Sequence, residues 1–135
     1  MLQLPGAPAL SAFRIAKLLD VPAAMVTSGG AGSILLATAA CLTGKDEQRI
    51  RRLPDTTGMK NEVVVQKGHR NAYDHAVRAA GVTFVEVGTL GYPGAGGTFG
   101  WQIEEAITDK TVAVFCPILD TPGTLPLPGG SPMMP

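Results

Sequence analysis

A run of small residues at positions 28–32 is the first part of this sequence with the composition of a binding site. It comes directly before an apolar stretch, residues 34–43, which predicts a buried helix ending at Gly44. The N-terminus of a helix offers free N–H groups and a partial positive charge, which suit a phosphate group. Glycines also let the backbone approach a ligand closely. Taken alone, however, such a turn is more often a plain helix start.

A second set of polar residues follows the β-branched segment at residues 62–66, which predicts a strand. His69 comes just past that strand, where an imidazole ring can stack on a flat cofactor or contact a substrate acid group. A lone loop histidine is more often structural or solvated. Arg70 is a natural anion partner, because its planar guanidinium binds carboxylates and phosphates bidentately; the alternative is a surface charge. His75 is interpreted as structural.

The elements that must position these residues alternate between strands and helices. Strands are predicted at residues 62–66, 82–87 and 111–115, and a first strand, or else the lead-in to a turn, at residues 23–27. Helices are predicted from an N-cap at Ser11 to about residue 20, and at residues 34–43, 46–53, 73–80 and 101–107. Apolar strands that alternate with helices indicate an α/β fold with a mostly parallel sheet and flanking helices. Such sheets place ligands beyond the carboxyl ends of their strands, here residues 28–32, 68–71, 88–91 and 117–121.

Composition argues against several classes of function. The chain has 135 residues with 11 basic and 11 acidic side chains, so it has no general attraction for nucleic acid or anionic membranes. The basic cluster at Arg49, Arg51 and Arg52 is interpreted as a solvated helix face. Cys41 and Cys116 occur in apolar runs and are predicted to be buried, and their spacing predicts no metal site. Without a secretion signal or an apolar stretch long enough to span a bilayer, the sequence predicts a soluble, cytoplasmic protein.

Three segments resemble a known family of enzymes. They are Val-Thr-Ser-Gly-Gly-Ala-Gly-Ser at residues 26–33, Leu-Pro-Asp-Thr-Thr-Gly-Met-Lys-Asn-Glu at 53–62, and Gln-Lys-Gly-His-Arg-Asn-Ala-Tyr-Asp-His-Ala at 66–76. Shorter matches at 39–44, 86–89 and 123–127 continue in the same order. Together they resemble the pyridoxal 5'-phosphate (PLP) enzymes of the selenocysteine synthase (L-seryl-tRNA(Sec) selenium transferase)-like family. They look more similar to its D-glucosaminate-6-phosphate ammonia-lyase-like members than to the selenium transferases.

This resemblance implies a fold and a set of roles. The fold would be part of the large domain of the aspartate-aminotransferase type (fold type I), in a homo-oligomer with active sites at subunit interfaces. The turn that holds the cofactor phosphate in the family corresponds to Ser28, Gly29, Gly30 and Ala31. His69 would contact the cofactor, while Arg70 and Asn71 would bind an amino acid or a phosphorylated amino-sugar acid. The implied activity is that of a lyase or transferase.

The same resemblance indicates an incomplete site. PLP enzymes need a lysine that forms a Schiff base with the cofactor. In the family this lysine, and an aspartate that pairs with the pyridine nitrogen, come later than the matched segments, and neither Lys60 nor Lys67 corresponds to the lysine. The chain is therefore expected to be an inactive N-terminal fragment. Its predicted parts are a helical segment at residues 1–22, a partial PLP-binding domain at 23–118, and an irregular Pro/Gly-rich tail at 119–135, for which one hypothesis is an out-of-frame read.

Two other interpretations remain open from the residues. In the first, the chain is a non-catalytic module that folds alone and binds phosphate, PLP or a protein partner. In the second, it is a nucleotide-binding protein with a doubly wound sheet. The second is disfavoured, because neither GxGxxG nor GxxxxGK[ST] occurs in the sequence.

Overall fold

A computed structural model of the chain describes residues 7–90 and 97–117, with side chains from residue 10 onward. Its helices are α1 (Ala7–Leu19), α2 (Gly30–Thr43), α3 (Glu47–Arg52), α4 (Asp74–Ala79) and α5 (Gly100–Ala106). Its strands are β1 (Glu62–Gln66), β2 (Thr83–Val87) and β3 (Thr111–Phe115), and a 3-10 turn, Lys67–His69, follows β1. The predicted irregular tail lies outside the described residues, as does the middle of the glycine-rich stretch that follows β2.

β1 is the central strand of a parallel sheet with the strand order β2-β1-β3. Its residues Val63, Val64 and Val65 pair with residues 84–86 of β2 on one side and residues 113–115 of β3 on the other. The three valines are at most 1% exposed, which is typical of a parallel strand covered on both faces. The predicted α/β fold with a mostly parallel sheet and flanking helices is confirmed.

The core forms where α2 and the α4 segment pack against one another and against the sheet. Leu42 of α2 meets Val77 and Ala80 there, together with Val63 and Val82 from the sheet side. These five side chains are at most 8% exposed. Of the apolar positions that predict α4, Val77 and Ala80 therefore face the core, whereas Tyr73 is 46% exposed. The two buried positions fix this helix beside the loop that carries His69.

Most helix ends follow local signals in the sequence. Gly44 ends α2 with a φ of 55°, a left-handed conformation that glycine adopts without strain. Asp46 caps α3 by accepting hydrogen bonds from the N–H groups of Gln48 and Arg49. Pro54 stops α3, as predicted, because a proline disfavours a helical conformation in the residue before it.

The predicted start of α1 is wrong. The helix begins at Ala7 rather than after an N-cap at Ser11, which lies inside it. The physical reason is Pro8, since a proline has the φ of the first helical turn and lacks an N–H group that this turn would leave unpaired.

The predicted first strand is also wrong. Residues 23–27 form neither a helix nor a strand, and no strand in the described part of the chain pairs with them. Met25 is 74% exposed and Val26 is 50% exposed. Apolar composition predicts a strand here, whereas a strand forms only where a neighbour can pair with its backbone groups. The turn at residues 28–32 therefore does not follow a strand of this sheet.

Helix α2 is less buried than its apolar composition predicts. Leu42 is 3% exposed, but Leu36 on the same helix is 48% exposed. Cys41 of α2 and Cys116, which follows β3, are both exposed, so the prediction of two buried thiols is wrong. Apolar residues are buried only where another element covers them, and within the described residues no element covers this face of α2.

Helix α2 begins at Gly30, four residues before its predicted start at residue 34, since the N–H of Ser33 already bonds to the carbonyl oxygen of Gly29. The remaining elements agree with their predictions to within about a residue. The arginine cluster on α3 is exposed, as predicted. Within the described residues, no helix has the length and apolar character needed to cross a membrane. No group of three or more His, Cys, Asp or Glu side chains is arranged there to hold a metal ion. The boundaries between the three predicted parts of the chain stay predictions.

Candidate functional site

Two hydroxyl groups close the turn that precedes α2. Thr27 Oγ1 donates to the carbonyl oxygen of Gly29 at 2.9 Å and lies 2.6 Å from Ser33 Oγ. The hydroxyl and the N–H of Ser33 donate to the same carbonyl, at 3.3 Å and 3.1 Å. Gly29 itself has a φ of 145°, which glycine tolerates and other residues rarely adopt. Thr27 and Ser33 therefore set the shape of the predicted phosphate turn, although neither belongs to the predicted set.

The start of α2 has the properties of an anion-binding site. No side chain caps this end of the helix. The N–H groups of Gly30, Ala31 and Gly32 have no acceptor within the described residues, because the first bond back to the turn is made by Ser33. Ser28 and Ala31 are exposed, so an anion in solution can reach the turn. Unpaired N–H groups at a helix N-terminus are a common binding site for phosphate.

Tyr73 connects this turn to the loop that follows β1. Its ring lies beside Gly30, where an added Cβ atom would stand 3.6 Å from the ring. The ring also borders an open apolar groove between the starts of α2 and α4, whose other lining residues are Ala31, Gly32, Leu35, Ala72, His75 and Ala76. The tyrosine ring thus places the turn that precedes α2 next to the start of α4.

His69 lies at the carboxyl edge of the sheet, as its position in the sequence predicts. It ends the 3-10 turn after β1, and its ring is partly exposed. Its Nδ1 is 3.7 Å from the Sγ of Cys116, the first residue after β3. Gln66 donates to the same sulfur from Nε2 at 3.9 Å. An imidazole and a thiol from neighbouring strands therefore meet at this edge.

Arg70 is paired with protein carboxylates. Its Nε bonds to Asp74 of α4, and its Nη1 contacts Glu86 of β2. The guanidinium also lies over the ring of Phe84, 5.0 Å from the ring centre. Asp74 is buried, and its Oδ1 has no hydrogen-bond partner in the described part of the chain. Any substrate anion at Arg70 must therefore compete with two carboxylates that the protein already supplies.

Asn71 organises the loop between β1 and α4. Its Nδ2 donates to the carbonyl oxygen of His69 at 2.8 Å, and its Oδ1 accepts the N–H of Tyr73 at 2.8 Å. A short amide side chain commonly bonds to nearby backbone in this way and fixes a turn. Asn71 thereby sets the positions of His69 and Tyr73 relative to each other.

The predicted site residues form two groups. The turn residues Ser28, Gly29, Gly30 and Ala31 form one group beside Tyr73, and His69, Arg70 and Asn71 form the other at the sheet edge. No hydrogen bond within the described residues joins the two groups. His75 is exposed, with its Nδ1 3.3 Å from Arg78 Nη2, and Lys60 and Lys67 are exposed as well.

Sequence reasoning missed Thr27, Ser33, Tyr73 and Cys116. Hydroxyl residues on both sides of a glycine turn are a signal for the first two. For Cys116, the signal is its place directly after a strand of a parallel sheet, the same argument that selects His69. Tyr73 has no comparable signal, because its spacing in the sequence fits the core face of α4 equally well.

Comparison with known proteins identifies enzymes that are similar to this chain in sequence and in structure. A D-glucosaminate-6-phosphate ammonia lyase from Salmonella typhimurium (strain 14028s / SGSC 2262) is 38% identical over 93 residues, which are 66% of this chain and 24% of that protein. The solved structure of a D-glucosaminate-6-phosphate ammonia-lyase matches with a TM-score of 0.72 and 30% identity. The match covers 84% of this chain and 31% of that structure. The chain is a partial homologue of D-glucosaminate-6-phosphate ammonia lyase.

The homology confirms the resemblance to the selenocysteine-synthase-like PLP family and places the fold in part of a fold-type I enzyme. A 5'-C-glycyluridine monooxygenase-decarboxylase from a Streptomyces species is also related, at 35% identity over 92 residues, which are 64% of this chain and 22% of that protein. The chain thus spans about a quarter of the length of either relative. No family model matches it.

Proposed function

We propose that this chain provides the phosphate-binding part of the cofactor site in a PLP-dependent lyase or transferase. The substrate would be an amino acid or a phosphorylated amino-sugar acid, and the assembly a homo-oligomer with the site at a subunit interface. The Schiff-base lysine would come from sequence other than these 135 residues. In this proposal the cofactor phosphate binds to Ser28, Gly29, Gly30 and Ala31.

The uncapped N-terminus of α2 is the observation that carries the proposal. A helix of 14 residues presents a partial positive charge at this end. Three successive N–H groups there, from Gly30 to Gly32, lack a protein acceptor within the described residues. The Cβ position of Gly29 is open, with no heavy atom within 4 Å. Phosphate oxygens therefore fit the donors and the space that the turn provides.

His69 is the proposed contact to the cofactor ring. PLP, when bound, supplies an electron sink for reactions at the α-carbon of an amino acid. His69 lies at the carboxyl edge of the central strand, where parallel sheets bind ligands. The hydrogen bond from Asn71 holds the backbone of this residue in place. In the PLP reaction we assign His69 only the task of orienting a flat ring.

Arg70 and Asn71 are the proposed substrate-binding residues. An incoming carboxylate or phosphate at Arg70 would have to replace one of its present partners. We propose that it replaces Glu86, since the side chain of Glu86 is 39% exposed and that of Asp74 is 5% exposed. Removing the charge with Glu86→Gln is then expected to strengthen the binding of a substrate anion at this edge.

Titration of the full chain with inorganic phosphate and with PLP tests the phosphate turn, with backbone amide signals followed by NMR. We expect shifts centred on residues 29–32 and dissociation constants on the order of millimolar, equivalent to about 4 kcal/mol. Ala31→Glu places a negative charge in the first turn, so it should weaken phosphate binding about tenfold. Ala37→Glu is the matched control, because Ala37 is an exposed alanine in the middle of the same helix.

Each outcome of this titration bears on the proposal. Loss of binding in Ala31→Glu with retention in Ala37→Glu supports the turn as the phosphate site. Equal weakening in both variants would indicate a general charge effect and would count against the site. Shifts confined to other parts of the chain would mean that residues 28–31 are only the start of a helix.

A further inference from the structure

The two cysteines of the chain are both free and exposed, but their surroundings differ. Cys41 lies on α2, and no hydrogen bond to its thiol is present within the described residues. Cys116 follows β3 at the carboxyl edge of the sheet and contacts two polar side chains there, His69 and Gln66. The chain thus contains one thiol with a neighbouring base and one thiol without, which makes Cys41 an internal reference.

The neighbours of Cys116 include one group that can accept its proton and one that donates to its sulfur. His69 Nδ1 is 3.7 Å from Sγ, within reach of a hydrogen bond to sulfur. In the tautomer with its proton on Nε2, the imidazole accepts the thiol proton at Nδ1. Gln66 Nε2 lies 3.9 Å from the sulfur and donates a hydrogen bond to it. A base beside a thiol is a general way to activate a nucleophile.

We propose that Cys116, assisted by His69, is a modification site for low-molecular-weight disulfides. The thiol proton passes to His69 Nδ1, and the thiolate attacks one sulfur of the disulfide. A new bond forms between Cys116 Sγ and that sulfur while the original S–S bond breaks. The leaving thiolate then takes the proton from His69 and departs as a thiol. Cys116 is oxidised to the disulfide level and half of the reagent is reduced, so no other oxidant is needed.

This inference goes beyond the proposed function and does not depend on PLP binding. The exchange needs only groups that β1 and β3 bring together, whereas phosphate binding needs the start of α2. A chain that fails to bind phosphate can therefore still show a reactive Cys116, and the reverse also holds. The two proposals fail separately.

Oxidised glutathione is the probe for the test, applied to the folded 135-residue chain near neutral pH. Mass spectrometry of peptides measures the rate of mixed-disulfide formation at each cysteine in the same sample. We expect Cys116 to react about tenfold faster than Cys41, because His69 accepts the thiol proton as the sulfur attacks. His69→Gln removes the base while keeping a polar side chain, so it should lower the Cys116 rate to about that of Cys41. The Cys41 rate should not change.

A measurement in urea keeps the test decisive if His69→Gln does not fold. Unfolding separates β1 from β3, so the two thiols should then react at similar rates. A native Cys116 that reacts no faster than Cys41 would overturn the proposal. So would a folded His69→Gln variant with the full rate difference, because exposure rather than the imidazole would then explain the reactivity.

Discussion

Strand β1 and helix α2 are both apolar segments, and they differ in how much of their surface the protein covers. Val64 of β1 is 0% exposed, while Leu36 of α2 is 48% exposed. β1 has a paired strand on either side and lies in the core. α2 packs through one face, where Leu42 meets α4 and the sheet. The buried fraction of an apolar segment thus depends on which elements pack against it as well as on its own composition.

The regions that contain β1 and α2 also differ in how far apart in the sequence their hydrogen-bonded residues lie. In the sheet region (described residues 53–117), Thr56 Oγ1 donates to the carbonyl oxygen of Gly81 at 2.8 Å, across 25 positions of sequence. In the N-terminal region (described residues 7–43), the bonds of the turn that precedes α2 all lie between Thr27 and Ser33. The candidate site draws on both regions. Substitutions should accordingly cost more stability in the sheet region than in the N-terminal region.

Gly81→Ala should have the largest effect on stability. Gly81 has a φ of 95°, and an added Cβ would overlap the carbonyl oxygen of Pro54 and approach the methyl group of Thr56. Left-handed strain and steric overlap together should cost more than about 3 kcal/mol. Urea denaturation followed by circular dichroism measures the change in the free energy of unfolding.

Gly44→Ala is the matched control for this prediction. Gly44 also has a positive φ, 55°, but no heavy atom lies within 4 Å of its Cβ position. Only backbone strain is expected there, at about 1 kcal/mol. Equal losses in the two variants would mean that the close approach to Pro54 contributes nothing.

Val64→Ala should have the next largest effect. It removes two buried methyl groups from the central strand. Because the surrounding side chains are closely packed, the substitution leaves a cavity, and we expect the free energy of unfolding to fall by about 2 kcal/mol. Leu36→Ala removes a larger side chain from α2, but because that side chain is half exposed the change should stay within about 0.5 kcal/mol. The comparison between β1 and α2 breaks down if Leu36→Ala costs as much as Val64→Ala in the same denaturation assay.

The sheet region is also the part of the fold that sequence patterns predict best. The run at residues 62–66 predicts β1 without error, because three successive valines are typical of a buried parallel strand. The run at residues 23–27 has four apolar residues against three at 62–66, but no partner strand lies beside it in the described chain. Pairing is a property of two segments, so the composition of one segment cannot establish it.

The candidate site also has features that the sequence predicts and features that it does not. Strand order places His69 at the carboxyl edge from sequence alone, because the end of a predicted parallel strand has a known location in the fold. The pairing of Arg70 with Asp74 and Glu86 is not visible in the sequence, since Glu86 belongs to another strand and reaches Arg70 only through the parallel pairing of β1 with β2. Local patterns locate side chains along an element, while their partners depend on the packing between elements.

The smallest predicted effect concerns Asp55, in the loop that holds Thr56 against Gly81. Hydrogen bonds from the side chain and the N–H of Thr57 to its carboxylate lower the pKa of Asp55 below the ordinary value of 3.8. The unfolded chain therefore binds this proton more readily than the folded chain. The resulting stabilisation is present above about pH 4 and is lost as the pH falls through the lowered pKa. It should be slight, because the carboxylate is fully exposed.

Asp55→Asn isolates this contribution, because asparagine keeps an oxygen that accepts the Thr57 N–H but carries no charge. The free energy of unfolding of the wild type relative to Asp55→Asn should be highest near neutral pH and should decline in acid. Glu105→Gln on the exposed side of α5 removes the same formal charge and serves as the control. A difference between wild type and Asp55→Asn that is independent of pH, or that matches the Glu105→Gln profile, would show that Thr57 does not favour the charged form of Asp55. The loop of the sheet region would then be held by Thr56 without a contribution from Asp55.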